Sequence, residues 1–123
     1  MSNRKVVFVA FAIEDERARD FLKGQALNTK CPFDYVDMSV KEAYESDWKT
    51  KVETRIKRSD GLIALVSKNS LTSTGQKWEI ECAQRNAKPI LAIWAYREDR
   101  ATLPGLRTEP WSWPVISAFI NGI

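Results

Sequence analysis

The sequence predicts an α/β fold: a doubly wound, flavodoxin-like three-layer sandwich around a parallel sheet of four or five strands. Three observations predict it. Short, continuous apolar runs recur at Val6–Ala12, Gly61–Val66 and Ile90–Ala95. Their β-branched and aromatic content marks strands buried on both faces. The stretches between them carry apolar residues at helical spacing. Strands that alternate with helices imply right-handed crossovers and a parallel sheet. A chain of 123 residues suits one domain, residues 1–123.

The elements follow in order. Val6–Ala12, V-V-F-V-A-F-A, is the first strand. Glu14 and Asp15 stand where a helix would begin, and acids there suit the helix dipole. Ala18, Phe21 and Leu22 share a helix face, and Gly24 is the expected end of that helix. Asn28–Pro32 reads as a loop. Phe33–Met38 alternates and forms a weaker strand near an edge. Ser39–Ser46 is a polar connection. From Asp47 the spacing becomes helical, with Trp48, Val52 and Ile56 four residues apart and Ser46 or Asp47 able to cap the start. Ser59-Asp60-Gly61 stops that helix before the central strand. Ser67 to Thr74 is a polar loop. A helix is expected from about Gln76 to Asn86, broken by Ala87-Lys88-Pro89. After the strand at Ile90–Ala95, Tyr96–Pro110 reads as a loop. Val115, Ile116, Phe119 and Ile120 give the tail an amphipathic helix that docks on the sheet.

Composition removes whole classes of function. The chain has no histidine. Ser-His-Asp and Cys-His catalysis, His-ligated zinc and imidazole acid–base chemistry are therefore excluded, and no metal site is expected. Cys31 and Cys82 are far apart and suit a reducing, cytoplasmic setting better than a disulfide framework. The N-terminus runs directly into a strand, which argues against a signal peptide, and no apolar run is long enough for a membrane span. The net charge is +3. The densest basic cluster, Lys49, Lys51, Arg55, Lys57 and Arg58, reads as a solvated helix face and not as a nucleic-acid patch.

Chemistry must therefore rest on carboxylates, hydroxyls, lysine or thiols. The turn after the first strand, A-I-E-D-E, has no glycine and matches neither a dinucleotide fingerprint nor a P-loop. A receiver-like regulatory domain would suit Glu14 and Asp15, but its acceptor aspartate at the end of the central strand is replaced by Val66-Ser67. That leaves the helix after the central strand. At about 100° per residue, Ile80, Ala83 and Ala87 gather on the sheet side. Glu79 lies at its border, roughly 70° from its centre, and Glu81 points nearly opposite. Glu79 can therefore reach a cleft at the strand ends, where open α/β sheets place ligands. The plainer alternative is an acidic first-turn residue that only favours the helix. Trp78 is either a packing anchor or a flat wall for a ring. One of Ser67, Ser70, Thr72, Ser73 and Thr74 caps the helix.

Three blocks of residues resemble the TIR domain family, especially the short prokaryotic TIR-like proteins related to the TIR subunit of Thoeris antiphage systems. The first is V-F-V-A-F-A-I-E-D-E, in which Phe11 and Asp15 fall on the family's aromatic and aspartate places. Ala10 and Ala12 stand where serines are common. The second runs from Trp48 through Ser59-Asp60 into the central strand. The third, from Ser67 to Glu79, matches the spacing of the family's loop and helix. That glutamate is the residue on which TIR NAD-cleaving enzymes depend, so the resemblance gives the role to Glu79 and not to Glu81. One departure is Gly75, where many members carry a tryptophan; Trp78 partly substitutes.

The resemblance implies an enzyme that breaks the nicotinamide–ribose bond of NAD and makes an ADP-ribose-type signal in antiphage defence. NAD is substrate, and no cofactor is implied. It further implies substrate contacts at Phe11, Ala12, Asp15, Asp37, Ser67 and Trp78, with Phe11 and Trp78 flanking nicotinamide or ribose. Asp37 and the loop to Ser46 would gate the cleft. Self-association through TIR–TIR contacts and a separate effector that senses the product are implied as well, with neither nucleic acid nor membrane as partner. The family also contains non-catalytic interaction modules, and Gly75 with the alanines of the first block favours that alternative.

Overall fold

The computed structural model describes residues 5–28, 33–36 and 48–123. The expected loop at Asn28–Pro32 lies largely outside them. The connection Ser39–Ser46, its caps Ser46 and Asp47, and Asp37 lie wholly outside them.

Five strands form one sheet: β1 (Lys5–Phe11), β2 (Phe33–Val36), β3 (Gly61–Val66), β4 (Ile90–Trp94) and β5 (Thr108–Glu109). Their order is β2-β1-β3-β4-β5, and every pair is parallel. This is the flavodoxin-like order. The helices are α1 (Glu16–Asn28), α2 (Trp48–Arg58), α3 (Thr74–Arg85) and α4 (Trp113–Gly122). Short 3-10 turns, Ile13–Asp15 and Lys68–Thr72, follow β1 and β3.

The sandwich follows from the strand period of two. Successive residues of β1 and β3 face opposite layers, and both faces are apolar, so each must be covered. Val7, Val9, Phe11, Ile63 and Leu65 join Ala18 and Leu22 of α1 and Ile116 and Ile120 of α4. Phe8, Ala10, Leu62, Ala64 and Val66 join Val52 and Ile56 of α2 and Ile80 and Ala83 of α3. Each fully buried Val, Leu, Ile or Phe among them contributes about 1.5–3 kcal/mol of transfer free energy. Gly61 admits the end of α4: a Cβ there would lie 3.1 Å from Phe119 and Ile123.

Two sequence expectations change. Gly24 does not end α1, which continues to Asn28. Gly24 needs no positive φ there, so its cost is only the propensity of an interior glycine, about 1 kcal/mol. The stretch Tyr96–Pro110 is not all loop. It contains β5, which pairs with Ala92 and Ile93, and a turn in which Leu106 N–H donates to Leu103 O (3.1 Å). Pro104 and Gly105, with Gly105 at φ 74°, give that turn the type II pattern.

The end of α3 carries a testable strain. Lys88 N–H donates to Ala83 O (2.9 Å) and Ala87 N–H to Gln84 O (3.1 Å). This is the Schellman pattern, whose left-handed position favours glycine. Ala87 occupies it at φ 55°. Ala87→Gly is expected to stabilise the protein by about 0.5–1 kcal/mol, the relief of the left-handed penalty exceeding the added unfolded-chain entropy. A urea unfolding midpoint that rises at constant slope checks this.

Candidate active site

In a sheet of order 2-1-3-4-5, the chain leaves β1 toward β2 and leaves β3 toward β4, in opposite directions, and a crevice opens between β1 and β3 at their C-terminal ends. Polar groups from different elements meet there. Gln76, in the first turn of α3, is 1 % exposed. Its Nε2 donates to Ala10 O of β1 (3.1 Å) and to Leu65 O of β3 (2.8 Å). One side chain thus satisfies two carbonyls that the diverging strands leave open. These bonds fix the orientation of the amide, and its Oε1 is buried with no hydrogen-bond partner among the described residues.

On the other side of the same crevice lies Asp15, with no exposed surface. Ser67 Oγ–H donates to its Oδ2 (2.5 Å). Asn69 Nδ2 and the Tyr96 hydroxyl both donate to its Oδ1 (2.9 Å each). A buried carboxylate is tolerable only with such donors. This one ties the ends of β1, β3 and β4 together. Ser67 also caps the 3-10 turn, accepting from Asn69 N–H (3.0 Å), while its own N–H donates to Ser70 Oγ (3.0 Å). Ser73 caps α3 by accepting from Gln76 N–H (3.2 Å), so α3 begins at Thr74, two residues before the expected start.

Tyr96 reports on this network. Partial burial, for the residue is still 39 % exposed, then the bond to Asp15 and the charges of Asp15 and Asp99 push its phenol from 10.0 up to about 12 against the opposing charge of Arg17. A group that holds its proton more tightly when folded stabilises the fold fully below the unfolded value and loses that contribution as pH rises through the folded one. Phenolate absorbance should therefore show one tyrosine titrating near 12, absent in Tyr96→Phe. Stability of the parent should fall between pH 10 and 12 more steeply than that of Tyr96→Phe.

Glu79 is 5 % exposed, in the turn of α3 after Gln76. Glu81 is exposed. The two acids are as unequal as helix geometry requires. Gly75 is buried in the first turn of α3. Trp78 is half-buried against the α2–α3 core layer, with Lys49 5.9 Å and Arg85 5.5 Å from its ring centre. Ala12 is buried beside the crevice and precedes the 3-10 turn that carries Asp15.

Phe11 is 2 % exposed and belongs to the opposite layer, with Arg19 5.2 Å above its ring. Phe11 and Trp78 thus lie on opposite faces of the sheet. The expectation that both flank nicotinamide or ribose does not fit this placement, because residue 11 has the odd parity of Val7 and Val9, whereas α3 covers the even face. Asp15, expected to serve a helix dipole, is instead the centre of a buried network. By sequence alone, Gln76 has no role beyond the start of the helix. Its signal was present: it shares the helical stripe of Ile80, Ala83 and Ala87, and a polar residue on an apolar stripe needs a buried partner.

Lys49, Lys51, Arg55, Lys57 and Arg58 are exposed along α2, a solvated face. No helix among the described residues is long and apolar enough to cross a membrane.

A family model described as the TIR-like domain of the Thoeris protein ThsB matches residues 8–100. The matched span includes β1 from Phe8 onward, the crevice and all of α3. No curated protein matches the chain significantly.

Proposed function

The chain belongs to the Thoeris ThsB TIR-like domain family, and on that premise we propose that it cleaves NAD at the nicotinamide–ribose bond. The product is an ADP-ribose-type signal for antiphage defence. One observation carries the reading: Glu79, a largely buried carboxylate on α3, follows the Gln76 plug of the β1/β3 crevice.

The chemistry needs little else. The C–N bond breaks with its electron pair leaving on nicotinamide, which departs neutral. The ribose carbon becomes oxocarbenium-like, and a fixed carboxylate stabilises that positive charge. Water or a hydroxyl of the same nucleotide then adds to this carbon and loses a proton. Water yields ADP-ribose and an internal hydroxyl yields a cyclic form. The Asp15–Ser67–Asn69–Tyr96 network is the rigid support that holds the crevice open at constant geometry. Ala12 and Ser67 line its edge. Trp78 borders the substrate from the α3 side, whereas Phe11, buried in the opposite layer, supports the crevice without touching substrate. Self-association completes the site, a separate effector reads the product, and the reaction runs in the cytoplasm.

The purified protein, concentrated to promote self-association and supplied with extract of phage-infected cells, is expected to release nicotinamide and one nucleotide product in equal amounts. NAD left intact under those conditions contradicts the proposal and favours the non-catalytic interaction module, the reading that Gly75 supports.

A further inference from the structure

A cavity of about 600 Å³ lies between α1, the segment after β4 and the approach to α4. It shares no lining residue with the α3 side of the crevice. Its size is that of a small-molecule site. Two features of its walls call for a ligand.

The first is charge. Arg17, Arg97 and Arg100 line the cavity, and no acidic residue does. Arg100 is occupied: its guanidinium lies 4.4 Å over the Trp94 ring and its Nε donates to Arg97 O (3.1 Å). Arg17 and Arg97 have no ion-pair partner among the described residues. Guanidinium groups gathered without carboxylates are suited to phosphate, which they bind bidentately.

The second is aromatic surface. Phe21 is 63 % exposed, an unusual cost for a phenyl ring. It meets Trp111 edge-on at 5.7 Å and 74°. Trp111 is itself pinned, its Nε1 donating to Gln25 Oε1 (2.9 Å). A fixed indole beside an exposed phenyl ring offers a stacking platform for a flat heterocycle, at about 1–3 kcal/mol per base.

We propose that this cavity is a second nucleotide site, which takes a nucleoside diphosphate with its base on Phe21 and Trp111 and its phosphates on Arg17 and Arg97. The site does not include Glu79, and it adjoins the crevice through Tyr96, which lines the cavity and donates to Asp15.

Calorimetric titration of the full chain with ADP, AMP and adenosine tests it. Trp94 and Trp111 line the cavity, so indole N–H resonances read the location. ADP should bind at micromolar Kd, AMP more weakly, and adenosine at least tenfold more weakly than ADP. Indole signals lost in Trp94→Phe and Trp111→Phe should be the ones that shift. The double variant Arg17→Ala/Arg97→Ala changes only exposed side chains and should weaken ADP at least tenfold. Phe21→Ala should weaken ADP and adenosine alike, and Glu79→Gln should bind ADP as the parent does. The proposal is overturned if ADP fails to bind or if its binding is indifferent to the arginine substitutions. Loss of ADP binding in Glu79→Gln, or Phe21→Ala disrupting a dimer in a protein that does not bind ADP, overturns it as well.

Discussion

Asp15→Ala is expected to lower the unfolding free energy by about 3–4 kcal/mol. Asp15 has no exposed surface and accepts from Ser67, Asn69 and Tyr96. Hydrogen bonds to a charged acceptor contribute about 1.5–3 kcal/mol each, but the loss is not three times that. Tyr96 is 39 % exposed and Asn69 only half-buried, so water can replace part of what they lose. Ser67, with no exposed surface, has no such recourse. Deleting the carboxylate also leaves a void among the ends of three strands. At about 3–6 °C per kcal/mol for a domain of this size, the melting temperature should fall by about 10–20 °C. Asp15→Asn should cost less, about 1–2 kcal/mol, because one oxygen remains as acceptor while the new NH2 faces a donor. Urea unfolding of the three proteins checks the order. A loss under about 1 kcal/mol in Asp15→Ala would show that the network is ornamental to the fold.

The sheet was legible because its period leaves little choice. Val6–Ala12 and Gly61–Val66 are apolar at odd and even positions alike, and only a strand covered on both faces permits that. The 100° step of α3 likewise separated Glu79 from Glu81 in advance. What was not legible depends on partners distant in sequence. Asp15 and Ser67 are 52 residues apart, and nothing local distinguishes an acid that starts a helix from one that receives a serine, an asparagine and a tyrosine. Gln76 serves carbonyls 66 and 11 residues away. β5 has two residues, too few to show any period, and exists because β4 offers an edge to pair with. Gly24 resembles a stop by residue type alone, yet its helix continues, since glycine only weakens an interior turn.

Glu79→Gln carries the second large effect. Glutamine keeps the volume and a hydrogen-bonding oxygen but removes the charge, so the substitution isolates electrostatics from packing. Loss of a fixed group that stabilises transition-state charge typically lowers kcat by two to three orders of magnitude. The rate of nicotinamide release should therefore fall at least a hundredfold, equivalent to about 2.7 kcal/mol of barrier. KM should change little, because the carboxylate acts on charge that develops only in the transition state. Glu81 is the matched control: same helix, same chemistry, but exposed. The most direct measurement is nicotinamide release from NAD by Glu79→Gln and Glu81→Gln proteins of equal folded fraction and concentration. The predicted result is parent-like turnover in Glu81→Gln and at least a hundredfold loss in Glu79→Gln; equal turnover in the two would contradict the assignment of Glu79.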